Sequence, residues 1–166
     1  VFREGDWVVI GDEEGRVEEI RAQMVRLRTR GNERISIPSS TILNSNVTNL
    51  SDQMDKRGLV LRCSISIGYD ISWRKVESLL LAAAEQTDGL LAEPPPLVQT
   101  NELGDFAVEY ALLVRVAEPA NMPSIQTLLN RAILDQFHQA GIQIMSPAYE
   151  NDPATIKIPP DERGPD

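Results

Sequence analysis

Residues 24–38 read Met24-Val25-Arg26-Leu27-Arg28-Thr29-Arg30-Gly31-Asn32-Glu33-Arg34-Ile35-Ser36-Ile37-Pro38. Both ends of this stretch alternate. Val25, Leu27 and Thr29 fall on one face of an extended chain, and Met24, Arg26 and Arg28 on the other, because successive side chains of a strand point to opposite sides. Arg30-Gly31-Asn32-Glu33 supplies turn residues. Alternation resumes over 34–37 and stops at Pro38, which cannot donate to a ladder. The stretch is predicted to be a pair of strands joined by a turn.

Its neighbours follow the same rhythm. Trp7-Val8-Val9-Ile10 ends at Gly11-Asp12, Gly15-Arg16-Val17-Glu18-Glu19-Ile20 follows, and 47–50 makes a short last strand. Strands of four to six residues between Gly, Asp and Asn turns predict a small β-barrel over residues 1–57, whose closure would hide the strand edges. Gly11-Asp12-Glu13-Glu14-Gly15 reads as an acidic hairpin turn, since the spacing of a calcium loop is absent.

From Gly58 the period changes. Leu59, Leu61, Cys63, Ile65 and Ile67 share one strand face, with Arg62, Ser64 and Ser66 on the other. A helix is predicted over 72–87, with Val76, Leu79, Leu80 and Ala83 on its apolar stripe and Ser72 or Asp70 accepting from its first amides. Pro94-Pro95-Pro96 is a stiff connector. Strands are expected over 97–100 and 106–117, the second with Phe106, Val108, Tyr110, Leu112, Val114 and Val116 on one face, and a turn over 102–105. A second helix starts at Pro123-Ser124, carries Ile125, Leu128, Leu129, Ala132, Ile133, Phe137 and Ala140 on one stripe, and ends at a left-handed cap on Gly141. A final strand is expected over 142–145. The order β-α-β-β-α-β over residues 58–150 is the ferredoxin-like, split-βαβ pattern. Residues 151–166 form a Pro-rich tail in which 154–158 reads as a short strand that needs a partner.

Composition narrows the function. The 166 residues are 42% hydrophobic and 25% charged, which suits a folded protein. The single cysteine excludes an internal disulfide framework, and with the single histidine it leaves no Cys/His zinc set. The net charge of −9 argues against a general nucleic-acid binder, and it is uneven: −1 over 1–57, −6 over 58–150 and −2 over 151–166. No run is apolar for the ~20 residues that a spanning helix needs. The chain begins without methionine or a signal-peptide pattern, so it reads as a fragment of something longer.

No catalytic, cofactor or metal site emerges. His138 with Asp135 reads as a solvated helix histidine, and Cys63 as a small core residue without a basic neighbour to activate it. Arg26, Arg28, Arg30 and Arg34 make a basic patch that could serve an Sm-like nucleic-acid-binding module. The patch lacks aromatic residues for base stacking, so pairing with Glu18, Glu19 and Glu33 is the preferred reading. An enzyme on the second half has no identifiable site. The absence of chemistry points to assembly or binding.

The motifs of the first half also resemble the mechanosensitive channels of small conductance, the MscS-like family. The resemblance rests on Phe2 followed by Gly5-Asp6 and an apolar strand, Gly15-Arg16-Val17, Arg28-Thr29, the strand ending Ile37-Pro38, and Val47-Thr48-Asn49-Leu50-Ser51. Ser39 stands where the family has asparagine. In the second half, Val60 to Asp70, Asn101-Glu102-Leu103-Gly104-Asp105 and Phe137-His138-Gln139-Ala140-Gly141-Ile142 are similar to the family. The resemblance spans about residues 1–149. It implies structural roles for Phe2, Gly5, Asp6, Gly15, Val17, Arg28, Thr29, Ile37, Pro38 and Asn49. It also implies a homoheptameric channel of the inner membrane that releases ions and small solutes when tension rises. This chain would be the cytoplasmic cage: an Sm-like barrel, then an α/β domain, with the tail strand closing the far end. Membrane contact would come through N-terminal helices outside this sequence, with no cofactor and no nucleic acid. The acidic residues Glu102, Asp105 and Glu109 would either raise the cation concentration at the openings of the cage wall or serve as ordinary solubilising charge.

Overall fold

A computed structural model describes residues 2–52 and 57–145. The chain divides into two compact units, Val1–Leu59 with Glu118–Asn121, and Val60–Ala117 with Met122–Asp166.

The first unit is an antiparallel five-stranded sheet: β1 (Trp7–Ile10), β2 (Glu13–Ile20), β3 (Met24–Arg28), β4 (Arg34–Pro38) and β5 (Val47–Asn49), in the order β4-β3-β2-β1-β5. Its core is Val8, Ile10, Val17, Val25, Leu27 and Ile37, the inward half of each alternating run, with Phe2, Ile35, Ile42 and Val47 against it. The predicted acidic turn is shorter than expected. Only Gly11 and Asp12 turn, Gly11 at φ +60°, and Glu13 and Glu14 already pair with Ile10 and Val9. Two further features depart from the expectation. No ladder joins β4 to β5 among the described residues, so the sheet is open where a closed barrel was expected. Between those strands lies a short helix, α1 (Ser39–Leu43), in a stretch where no element was expected from the sequence. It starts where Pro38 leaves the sheet and where Ser39 donates its N–H to Gln23 O at 2.9 Å and its hydroxyl to Ala22 O at 3.1 Å.

The second unit carries a three-stranded sheet, β6 (Leu59–Gly68), β7 (Leu97–Leu103) and β8 (Ala107–Val116), in the order β6-β8-β7. Helices α2 (Trp73–Glu85) and α3 (Met122–Gln139) bury their stripes in one core with it. Val76, Leu79, Leu80 and Ala83 of α2 are all buried, as the 3.6-residue period requires. On α3 the buried stripe is Ile125, Leu129, Ile133 and Phe137, whereas Leu128 is 46% exposed and Ala140 lies at the surface, off the expected stripe. Gly141 takes φ +69° and closes α3 with Gly141 N–H to His138 O and Ile142 N–H to Phe137 O, a Schellman cap with Ile142 buried against the core.

Three other expectations change. β7 runs on to Leu103, so the turn to β8 is tighter, closed by Gly104 N–H to Ala107 O at 2.9 Å. Phe106 therefore lies in that turn and is 63% exposed instead of sharing the inner face of β8. The fourth strand at 142–145 is reduced to one antiparallel bridge, Met145 to Ser66, because Ile142 is committed to the helix cap. The tail strand at 154–158 lies outside the described residues.

Candidate functional site

The motif residues of the first unit bind one another. Gly5, at φ +96°, gives its N–H to Val17 O, and Val17 N–H returns to Asp6 O, both at 2.8 Å. Asp6 Oδ2 accepts from Arg3 N–H and from Asn49 Nδ2, each at 2.9 Å, which ties the entry turn to β5. Asn49 Oδ1 accepts from Ser51 N–H, and Ser51 Oγ accepts from Trp7 N–H. Gly15 lies against β3 so closely that a Cβ there would be 2.8 Å from Arg28 O. Thr29 Oγ1 accepts from Glu33 N–H across the turn in which Asn32 has φ +63°. Phe2 and Ile37 belong to the core, and Pro38 precedes α1.

Each arginine of the patch is paired from within, with Glu18 and Glu19 each shared between two arginines. Glu18 accepts from Arg28 Nε at 2.7 Å and Arg34 Nε at 3.1 Å, and Glu19 from Arg26 Nη1 at 2.8 Å and Arg21 Nε at 2.6 Å. Adjacent strand residues normally face opposite ways, yet Glu18 and Glu19 both meet arginines of β3. A β-bulge permits this: the register slips from Val17↔Leu27 to Glu19↔Arg26, inserting one residue on β2. The Arg28 hydrogen bond holds Glu18, and the Arg21 hydrogen bond Glu19, below the usual carboxylate range. Arg30 pairs with Glu14 at 2.8 Å and lies over the Trp7 ring, 4.4 Å from its centroid. Glu14 was not among the expected partners of the patch, because the antiparallel register that brings it into reach is not visible in sequence spacing.

In the second unit Glu102 and Glu109 face each other directly across β7 and β8, and Asp105 sits in the turn between them. Asn101 Nδ2 donates to Glu109 Oε1 at 3.1 Å. Cys63 is half-buried, its Sγ 3.2 Å from Asn130 Oδ1, and burial pushes its thiol up, away from a reactive thiolate. His138 lies in the last turn of α3. Among the described residues no cluster of His, Cys, Asp and Glu could hold a metal ion, and no helix is long and apolar enough to cross a membrane.

Sequence reasoning missed a cleft at the start of α2, lined by Tyr69, Trp73, Leu103 and Tyr110 among others. The only hint was two aromatic residues, Tyr69 and Trp73, outside the apolar stripe of the helix.

Two family models match the chain in succession: the mechanosensitive ion channel β-domain over residues 1–52, and the C-terminal domain of the mechanosensitive ion channel MscS over residues 61–144. An uncharacterized MscS family protein of Haemophilus influenzae is 29% identical over 145 residues, covering 86% of this chain and 13% of that protein. The small-conductance mechanosensitive channel MscMJ of Methanocaldococcus jannaschii is 28% identical over 151 residues, covering 89% of this chain and 42% of the channel. The crystal structure of Helicobacter pylori MscS in a closed state superposes with a TM-score of 0.74 at 17% identity, over 91% of this chain and 60% of that one. The chain thus spans less than half the length of these two curated relatives.

Proposed function

Because the chain belongs to the MscS family of mechanosensitive ion channels, we propose that it forms the cytoplasmic wall of a tension-gated channel. The family is one of channels and not of enzymes. The observation that carries this reading is the succession of the two family models, the first within one compact unit and the second over the other apart from residues 118–121. In this reading residues 1–57 are an Sm-like β domain and 58–150 a ferredoxin-like domain. The sheet order β6-β8-β7 supports the latter, since a strand at the Met145 bridge would extend it beside β6. Residues 151–166 follow as the tail. Copies of the chain assemble into a heptameric cage on the cytoplasmic side of the inner membrane, held there by helices from outside this sequence. Ions and small solutes leave through it when tension rises. Self-association agrees with large apolar side chains left at the surface, among them Leu43 at 85% exposed and Leu97 at 53%.

Expressed with the rest of its gene in a host lacking its own tension-gated channels, the protein should give a tension-activated conductance in excised patches. Silence up to the lytic tension overturns the reading. The acidic residues sharpen it: Glu102→Gln, Asp105→Asn and Glu109→Gln together should shift the reversal potential in a salt gradient toward anions, and an unchanged potential rejects their role in ion preference. Nothing favours the nucleic-acid alternative, because each arginine of the patch is paired with glutamate.

A further inference from the structure

Three observations meet at the cleft where α2 begins. The first is a buried donor. Tyr110 is 3% exposed and lines the cleft, and its hydroxyl has no hydrogen-bond partner among the described residues. Buried hydroxyls ordinarily have one.

The second is the helix start. Ser72 is the N-cap of α2 but makes no side-chain cap bond, contrary to the sequence expectation. The N–H groups of Trp73 and Arg74 likewise have no acceptor among the described residues, the first helical bonds being those of Lys75 and Val76 to Ser72 O. A helix start carries partial positive charge and favours acids. This one has none in its first turn, and Arg74 and Lys75 stand there instead.

The third is the wall. Tyr69, Ile71, Trp73, Leu103 and Val108 line an open cleft of about 530 Å³ together with the hydroxyl residues Ser72 and Thr100, and no charged side chain lines it. Tyr69 is fixed by its hydroxyl, which donates to Gly104 O at 2.6 Å. Volume and lining match those of small-molecule sites, with a few polar groups on an apolar surface.

We propose that this cleft binds a small amphipathic carboxylate. The head group accepts from the free amides at the start of α2 and from the hydroxyls of Ser72 and Tyr110, while the apolar body lies against Trp73, Leu103 and Val108. A single negative charge fits better than a phosphate dianion. Arg74 is engaged over the Trp73 ring, 4.4 Å from its centroid, and Lys75 is not part of the lining, so only dipoles and hydroxyls face the head group. Burial, reinforced by Tyr69, pushes the Tyr110 phenol up, which keeps it a donor at neutral pH. The site belongs to the second unit alone and does not depend on the channel reading.

Titration of the ¹⁵N-labelled 166-residue chain with sodium octanoate, followed by NMR, tests this. Saturable shifts are expected at the amides of Trp73, Arg74 and Leu103. Tyr110→Phe, which keeps the ring, should weaken binding at least fivefold. Leu103→Asp, at a side chain 73% exposed, puts a carboxylate at the mouth and should weaken it at least tenfold. 1-Octanol should bind at least tenfold more weakly than octanoate, and inorganic phosphate should not saturate these amides. The proposal is overturned if octanoate gives no saturable shift, if octanol matches it, if phosphate alone reproduces it, or if Tyr110→Phe titrates like the parent.

Discussion

On the outer face of the first sheet, Arg21, Arg26, Arg28, Arg30 and Arg34 each sit against a glutamate, whereas on the second sheet Glu102 stands directly opposite Glu109. The two regions also differ at their turns. In the first, Asp6, Asn49 and Ser51 use their side chains to satisfy one another and the backbone beside them. In the second, the start of α2 has two amides and a tyrosine hydroxyl without partners among the described residues. A region whose charges are paired and whose polar groups satisfy one another has little left to offer a ligand. A region that keeps like charges opposed and donors open holds that capacity at some cost in stability, and the two can be told apart by mutation.

The largest effect is expected at Gly15. An alanine Cβ there would lie 2.8 Å from the backbone oxygen of Arg28, so β2 and β3 must separate to admit it. Gly15→Ala should cost about 2–3 kcal/mol, as overpacking does. Trp7 and Trp73 provide one reporter in each unit. In a Trp73→Phe background, urea unfolding followed by Trp7 fluorescence should show the loss. A midpoint within error of the parent would mean that β2 and β3 are not packed this closely.

Next comes Asp6. Its carboxylate accepts from Arg3 N–H and Asn49 Nδ2, and Asp6→Ala removes both of these bonds. The expected cost is about 1–2 kcal/mol by the same fluorescence measurement. Asp6→Asn, which keeps one carbonyl oxygen as acceptor, should recover part of it. Equal losses in the two variants would put the effect on the carboxylate's charge and not on its hydrogen bonds.

A pH dependence separates the regions further. Glu18 and Glu19 are held below their usual range in the folded state, chiefly by the Arg28 and Arg21 hydrogen bonds. A depressed carboxylate contributes stability above its unfolded value, near 4.5, and loses it as pH falls through the folded one. Unfolding of the first unit should therefore become easier from about pH 4.5 downward, and Glu18→Gln should flatten part of that slope. A slope unaffected by Glu18→Gln would mean that its arginine pairs are too well solvated to matter, as exposed ion pairs often are.

Much of the fold was legible because it follows from period. The alternation of β3 and β4, the apolar stripe of α2 and the glycine that closes α3 each follow from one chain segment and a local rule. What escaped depended on register. Glu18 and Glu19 reach the same strand only because one bulge breaks the alternation. Phe106 leaves the inner face because β7 runs three residues longer than its sequence suggested, which draws it into the turn. The cleft escaped for the same reason. Tyr69, Thr100 and Tyr110 lie far apart in sequence, and only the pairing of Thr100 with Tyr110 and the bond of Tyr69 to Gly104 bring them together.

The smallest effect has the opposite sign. Glu102 and Glu109 are directly opposed, and the polar contact found at Glu109 is from Asn101, a neutral donor. Like charges placed this way destabilise a strand pair. Glu102→Gln keeps the size and planar shape of the side chain and removes its charge, so it should stabilise the second unit by a few tenths of a kcal/mol. Urea unfolding followed by Trp73 fluorescence in a Trp7→Phe background would show it, and the gain should shrink as salt screens the pair. On the first sheet the corresponding change, Glu18→Gln, should destabilise under the same conditions. Opposite signs at two exposed glutamates would establish that one sheet uses its acids to hold itself together and the other keeps them in spite of its own stability. Matching signs would remove the distinction, and with it the reason to look for a purpose in the opposed glutamates of β7 and β8.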